Sequence, residues 1–140
     1  MLQLDPYLEI AKSAAFLAGA YIKDQQNKDL EILLNEGRDI KLQIDVDAEK
    51  IIKDHLIAKS SFPILAEGSG ASNELNEFYW VVDPLDGTSN FLRNIPISCV
   101  SIALMKDIDP ILGVIFDFNN DDLYFAHHES KAYMNDSELS

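Results

Sequence analysis

Apolar positions fall at helical spacing over residues 7–23 and 46–59, and at strand spacing over most of the chain after residue 62. Leu8, Ala11, Ala15, Ala18 and Ile22 predict an amphipathic helix from Tyr7 to about Lys23. Asp5 is placed to cap it, with Pro6 in the first turn. Its alanines and Gly19 predict a closely packed neighbour. Gln25 to Lys28 is a polar break, Glu31 to Leu34 a short strand, and Asn35 to Arg38 a turn. Ile40, Leu42 and Ile44 then alternate with polar residues, which predicts an extended segment from Asp39 to Asp45. A second helix follows from Val46 to about Lys59, with Ala48, Ile51, Ile52 and Leu56 as its stripe and Asp45 as its N-cap.

Phe62 to Ala66 predicts a short strand, followed by a flexible loop from Gly68 to Asn73. Phe78 to Val82 contains only aromatic and β-branched residues, the pattern of a strand buried on both faces. Asp83 marks its end, and Pro84, lacking an N–H, is expected to stop the ladder. Further strands are predicted at Ile97 to Met105, Ile111 to Phe116 and Leu123 to Ala126. The intervening turns are Asp107 to Pro110 and Asn119 to Asp122, and Asn135-Asp136 reads as one more. The expected class is α+β, with two N-terminal helices packed on a largely antiparallel β-sheet. No repeat or linker divides the chain.

Composition narrows the functions. The chain has 140 residues, one domain's worth, and is 47% hydrophobic, enough for a core. Its formal charge is −13, which argues against a nucleic-acid or anionic-membrane surface and is compatible with collecting divalent metal. Cys99 is the sole cysteine, so no internal disulfide forms; its apolar neighbours predict a small buried side chain. Asp5 and Glu9 interrupt any signal-peptide pattern, which makes the cytoplasm the expected compartment. The sequon at Asn135 is then a chance match.

The candidate chemistry lies directly after the Phe78 to Val82 run. Asp83 and Asp86 place two carboxylates on one turn, which repel unless a cation lies between them. Gly87 allows close backbone approach, Thr88 offers a hydroxyl, and Ser89 is placed to open a helix whose free N–H groups face an anion. The bland reading is an Asp-Pro-x-Asp-Gly turn capping a helix. Carboxylates beside an anion-binding helix start point instead to phosphoryl transfer.

The string Trp80-x-x-Asp83-Pro84-x-Asp86-Gly87-Thr88-x-Asn90-Phe91 resembles the signature of the inositol monophosphatase family, with eight fixed positions in twelve. That family comprises magnesium-dependent, lithium-sensitive phosphatases related to bisphosphate nucleotidases and fructose bisphosphatases. The resemblance implies the N-terminal portion of a layered α/β sugar-phosphatase fold and Mg2+ as cofactor. It assigns metal binding to Glu67, Asp83, the Leu85 carbonyl and Asp86. It gives the orientation of the attacking water to Glu67 and Thr88, with Asp45 behind Thr88. Asp86, Gly87, Thr88 and Ser89 would contact the substrate, a small phosphate ester such as inositol monophosphate. Hydrolysis would be direct, without a phospho-enzyme.

Three positions depart from the family pattern. Ile44 stands for a threonine, Ala66 for a glycine, and Gly68 for a second glutamate after Glu67. The resemblance runs over residues 1–140 but covers only the family's N-terminal, metal- and phosphate-binding half. The later Trp-Asp motif is missing, since Trp80 is the single tryptophan. The chain therefore reads as a fragment or truncated product of a phosphomonoesterase, as a half-enzyme that needs a complementing chain or homodimer, or as a catalytically impaired, weakly metal-binding partner or regulatory module. The nucleotidase and fructose-bisphosphatase branches remain open, although Ser89-Asn90 leans toward the inositol monophosphatase branch.

Other patterns carry less. An aspartyl-phosphate mechanism needs an aspartate where Pro84 stands. Asp117-x-Asn119-x-Asp121 imitates a calcium loop but has Asp122 at its glycine position and His128 at its glutamate position. His55 reads as a packing or surface histidine, and His127 and His128 as strand neighbours on opposite faces.

Overall fold

The computed structural model describes residues 2–26, 28, 32–36, 39–66, 69–71 and 74–139; at 33–36 and 39–41 it describes the backbone alone. In chain order the elements are α1 (Leu4–Gln25), β1 (Ile32–Glu36), β2 (Asp39–Leu42), α2 (Gln43–Lys59), β3 (Ile64–Ala66), β4 (Gly70–Ala71), β5 (Phe78–Asp86), α3 (Thr88–Leu92), β6 (Cys99–Lys106), β7 (Asp109–Asp117), β8 (Asp122–His127), β9 (Tyr133–Met134) and β10 (Ser137–Glu138). Among the described residues, eight strands form one sheet in the order β10-β9-β8-β7-β6-β5-β3-β4, and β1 and β2 form a separate hairpin. Every pair in the large sheet is antiparallel except β3 with β5. This is the expected α+β class, with one parallel rung that alternation cannot reveal.

Both long helices lie on one face of the sheet. Leu8, Ala11, Ala15 and Ile22 of α1 and Ala48, Ile52 and Leu56 of α2 are buried with Trp80, Val82, Ile102, Leu104 and Val114 of the sheet. Gly19 is the point of closest approach: a Cβ there would run into the Phe116 ring. The small residues of α1 thus have the packing role that their pattern predicts.

Several boundaries differ from expectation. α1 starts at Leu4, with Gln3 as the extended flanking residue, so Asp5 lies in the first turn, where its charge suits the helix dipole. β2 ends at Leu42 and α2 starts at Gln43, so Asp45 lies inside the helix as its third residue. Its Oδ2 accepts the Leu42 N–H at 2.7 Å, capping from within by reaching back. Gly70 and Ala71, expected in a loop, pair with β3. β5 runs through Pro84 to Asp86, because a bulge between Asp83 and Asp86 already interrupts the ladder where the N–H is missing. β6 begins at Cys99, leaving Ile97 69% exposed, and β7 and β8 begin at Asp109 and Asp122.

The expectation of two-sided burial for β5 fails. Trp80 and Val82 are buried under the helices, whereas Val81 and Asp83, facing the other way, are partly exposed. Cys99 is likewise half-buried. His55 stays a half-buried helical histidine, held below its usual pKa by burial and then by the Lys59 charge. His127 ends β8, and its Nε2 lies 2.9 Å from Asp5 Oδ1 at the start of α1; His128 follows in a turn. Among the described residues, no helix is long and apolar enough to cross a membrane.

Tyr21 ties α1 to α2. Its hydroxyl donates to Asp47 Oδ2 at 2.8 Å, and Gln43 Nε2 donates to Asp47 Oδ1 at 2.9 Å. Burial, then the hydrogen bond to Asp47 and its charge, push the Tyr21 phenol up to about 12. A phenol raised by folding contributes stability that is complete below its unfolded pKa of about 10 and is lost as pH rises through its folded value. An ultraviolet titration is therefore expected to show one of the five tyrosines ionising last, and Tyr21→Phe should remove that phase. An unchanged profile would show that the contact does not hold the phenol neutral.

Candidate active site

The bulge at the end of β5 turns side chains that would otherwise alternate. Pro84 and Leu85 are both buried, Asp83 is half-buried, and Asp86 is exposed. Asp83 is paired across the ladder with Ser101, and Asp86 with Cys99. The chain then turns at Gly87, whose φ of +89° suits glycine alone, and enters α3 at Thr88 rather than at Ser89.

A Cβ at Gly87 would lie 2.7 Å from the Ile97 carbonyl oxygen and 3.2 Å from Ser98 Cα. Asn90 Nδ2 donates to that same carbonyl at 2.9 Å, and Asn119 Nδ2 donates to Ser98 Oγ at 3.1 Å. Gly87→Ala therefore meets both a forbidden backbone region and a backbone clash. It is expected to destabilise by about 2–4 kcal/mol, lowering Tm by about 6–15 °C. A melting curve within a degree or two of the unaltered protein would contradict this geometry.

Thr88 joins three elements. Its Oγ1 lies 3.1 Å from the Leu85 carbonyl oxygen and 3.2 Å from Asp45 Oδ1. Asp45 thus uses one oxygen on the start of α2 and the other on the start of α3. Ser89 Oγ accepts a hydrogen bond from Arg93, the residue just past α3. Asp45, Asp83, Leu85, Asp86, Gly87, Thr88 and Ser89 therefore gather at the β5–α3 junction. Glu67 lies outside the described residues; the preceding Ala66 pairs with Val82, so β3 ends alongside β5 next to Asp83.

The donors at the junction are oxygens: two carboxylates and the Leu85 carbonyl, which suit a hard cation such as magnesium. Cys99 Sγ sits 4.0 Å from Asp86 Oδ2. Burial, then Asp86, Asp83 and Asp117, push its thiol up to about 11, so it stays protonated and offers no soft thiolate. Among the described residues, no three acidic, histidine or cysteine side chains cluster closely enough to hold a metal. The described donors fit magnesium in kind.

A cleft of about 500 Å³ opens from this junction, lined by Asp86, Gly87, Asn90, Cys99, Asp117 and Tyr124 among others. Sequence reasoning missed Asp117 as a cleft residue. Register alone places it there: Asp117 follows Ile115 by two on β7, and Ile115 pairs with Ser101, the partner of Asp83. The apparent calcium loop has another explanation: Asp117 Oδ1 accepts the N–H groups of Asn119 and Asn120 at 3.1 and 3.3 Å, forming an Asx turn.

Comparison with known proteins places this junction in context. The sequence model of the inositol monophosphatase family matches residues 3–140. The chain is 38% identical to an inositol-1-monophosphatase of Synechocystis, over 94% of this chain and 47% of that protein. It is 33% identical to a fructose-1,6-bisphosphatase/inositol-1-monophosphatase of Aquifex aeolicus, over 99% of this chain and 54% of that protein. The crystal structure of the extragenic suppressor protein suhB from Bartonella henselae superimposes with a TM-score of 0.88 at 35% identity, covering 95% of this chain and 53% of that one. The chain spans about half the length of the relatives it matches. With the family matched from residue 3 to the end and its fold superimposed, the chain belongs to the inositol monophosphatase family.

Proposed function

We propose that residues 1–140 form the metal- and phosphate-binding N-terminal half of a phosphomonoesterase that hydrolyses inositol monophosphate, or a similar small phosphate ester, with magnesium. The observation that carries this reading is the placement of Thr88 between Asp45 and the Leu85 carbonyl, beside Asp83 and Asp86. In it, Asp83, Asp86, the Leu85 carbonyl and Glu67 would hold the cation. Bound magnesium would neutralise phosphate charge and lower the pKa of a coordinated water. By donating its proton to Asp45, Thr88 keeps its lone pairs free to orient a water. Glu67 orients that water together with Thr88. Gly87 and Thr88 lie where helical N–H groups have no internal acceptors, so these amides receive phosphate oxygens. Asp86 and Ser89 complete the substrate contacts. Attack by water in this arrangement leaves no phospho-enzyme.

Inositol monophosphate is the favoured substrate because Ser89-Asn90 follows the inositol branch of the resemblance. The name of the Aquifex aeolicus relative keeps a sugar bisphosphate as the alternative. The net charge of −13 argues against nucleic acid or an anionic membrane surface as partner, and the proposed compartment is the cytoplasm.

The second reading is a weakly metal-binding partner or regulatory module. It draws on Ile44, Ala66 and Gly68, which stand where the family pattern has a threonine, a glycine and a second glutamate. Phosphate release from inositol 1-phosphate across a magnesium titration separates the two. Release that rises with magnesium and stops with chelator supports catalysis by this chain. A folded sample that releases nothing at any magnesium concentration favours the module.

A further inference from the structure

The backbone between the two junction aspartates has slack. Asp83 and Asp86 are three residues apart on β5, whereas their partners on β6, Ser101 and Cys99, are two apart. The bulge takes up the extra residue. The separation of the two carboxylates therefore depends on where the Cys99 end of β6 is anchored. Asp86 with Cys99 is the last pair of the β5–β6 ladder, and the β6–β7 ladder begins at Val100. The anchor is built from side chains instead. Ser98, just before β6, is the one buried polar residue among the described residues. Asn119, in the turn after β7, donates from Nδ2 to Ser98 Oγ at 3.1 Å and to the Ser98 carbonyl oxygen at 3.4 Å. Asn90 of α3 donates to the adjoining Ile97 carbonyl. Gly87 packs against these same two residues. Asn119 is itself fixed: Asp117 Oδ1 accepts its N–H, and the preceding Phe118 is buried with its ring centroid 6.3 Å from that of Phe91 on α3.

We propose that Asn119 is a positioning residue for the cation site: acting through Ser98, it fixes the Cys99 end of β6 and so holds Asp86 in place relative to Asp83. The inference rests on the proposed cation site at these two aspartates, and it makes that site selective. Magnesium demands near-ideal octahedral geometry, whereas calcium accepts more ligands in flexible arrangements. Loosening Asp86 therefore penalises magnesium more than calcium. A general loss of stability has no such preference between the two ions.

The test is cation binding followed by nuclear magnetic resonance. The chain has six glycines, so isotopic labelling of glycine alone leaves the Gly87 amide, next to Asp86, as a resolvable reporter. Its shift is followed in separate titrations with magnesium and with calcium. Asn119→Ala is expected to raise the magnesium Kd about tenfold and the calcium Kd less than about threefold. Ser98→Ala weakens the same link from its other end and should act in the same direction. The double variant should be little worse than Asn119→Ala alone, because both changes break one link. Tyr79→Phe, which loses a hydrogen bond to the Asp107 carbonyl at the far end of β5, should change neither Kd. Circular dichroism shows which variants are folded, and Ser98→Ala carries the test if Asn119→Ala is not. An unaltered chain whose Gly87 amide answers to neither ion would remove the cation site, and the inference with it. Where the unaltered chain binds magnesium, three results overturn the inference alone: a folded Asn119→Ala or Ser98→Ala protein with unchanged magnesium affinity, equal losses for the two ions, or losses that simply add in the double variant.

Discussion

Asp83→Asn is expected to cut magnesium-dependent phosphate release by about three orders of magnitude while leaving the fold intact. Asp83 occupies the last regular rung of β5, opposite Ser101, before the bulge that exposes Asp86. Asparagine matches its shape and removes its charge. Holding a cation against a phosphate contributes several kcal/mol of transition-state charge stabilisation, and each 1.36 kcal/mol is about tenfold in rate. Because the substitution is isosteric, far-UV circular dichroism and Tm should remain close to those of the unaltered chain. Full activity in a folded Asp83→Asn protein would remove this carboxylate from the site. Loss of activity together with the fold would say nothing of the cation, which is why the two readouts belong together.

Trp80→Ala is expected to destabilise the protein by about 3–5 kcal/mol, a large part of a typical domain's 5–15. Trp80 is fully buried. Its Nε1 donates to Ser60 Oγ at 2.9 Å, just past the end of α2, and Ser60 Oγ donates to the Leu56 carbonyl at 3.1 Å. Its ring centroid lies 6.4 Å from that of Tyr7, near the start of α1, and Tyr7 in turn packs on Phe62 at 5.1 Å. The residue therefore pins β5 to both helices at once. Trp80→Phe retains most of the packing but abandons the Ser60 contact, so a smaller loss of about 1–2 kcal/mol is expected. Because Trp80 is the single tryptophan, urea unfolding is best followed by circular dichroism rather than fluorescence. Equal midpoints for the alanine variant and the unaltered chain would overturn this role.

The sequence made the helices, most strands and the β5–α3 junction legible, because each is written in local spacing. Leu8 to Ile22 repeats at helical intervals, and Asp83 to Phe91 follows a family signature. Pairing partners were not legible. Nothing in the strand that ends at Ala66 says that it lies parallel to Val82. Pro84 was misjudged because a bulge can absorb a missing N–H, and bulges leave no clear periodic mark. An Asp ahead of a helical stripe predicts an N-cap at Asp45, whereas its side chain reaches back to Leu42 from the third helical position. The apolar run at Phe78 to Val82 signalled two-sided burial, and the structure covers only the Trp80 and Val82 side. Asp117 escaped notice because cleft residues from separate strands are brought together by register, which a linear pattern does not display.

The packing of α1 also has a consequence for synthesis. α1 leaves the ribosome before the sheet strands that cover it, β6 to β8, which lie between residues 99 and 127. At ordinary elongation rates of about 5–20 residues per second, they emerge roughly 5–20 s later. In that interval α2 is the cover available to α1. An alanine-rich stripe presents less oily surface to chaperones and to neighbouring nascent chains than a leucine-rich one would. The small residues that let α1 lie close to the finished sheet also ease its wait for that sheet.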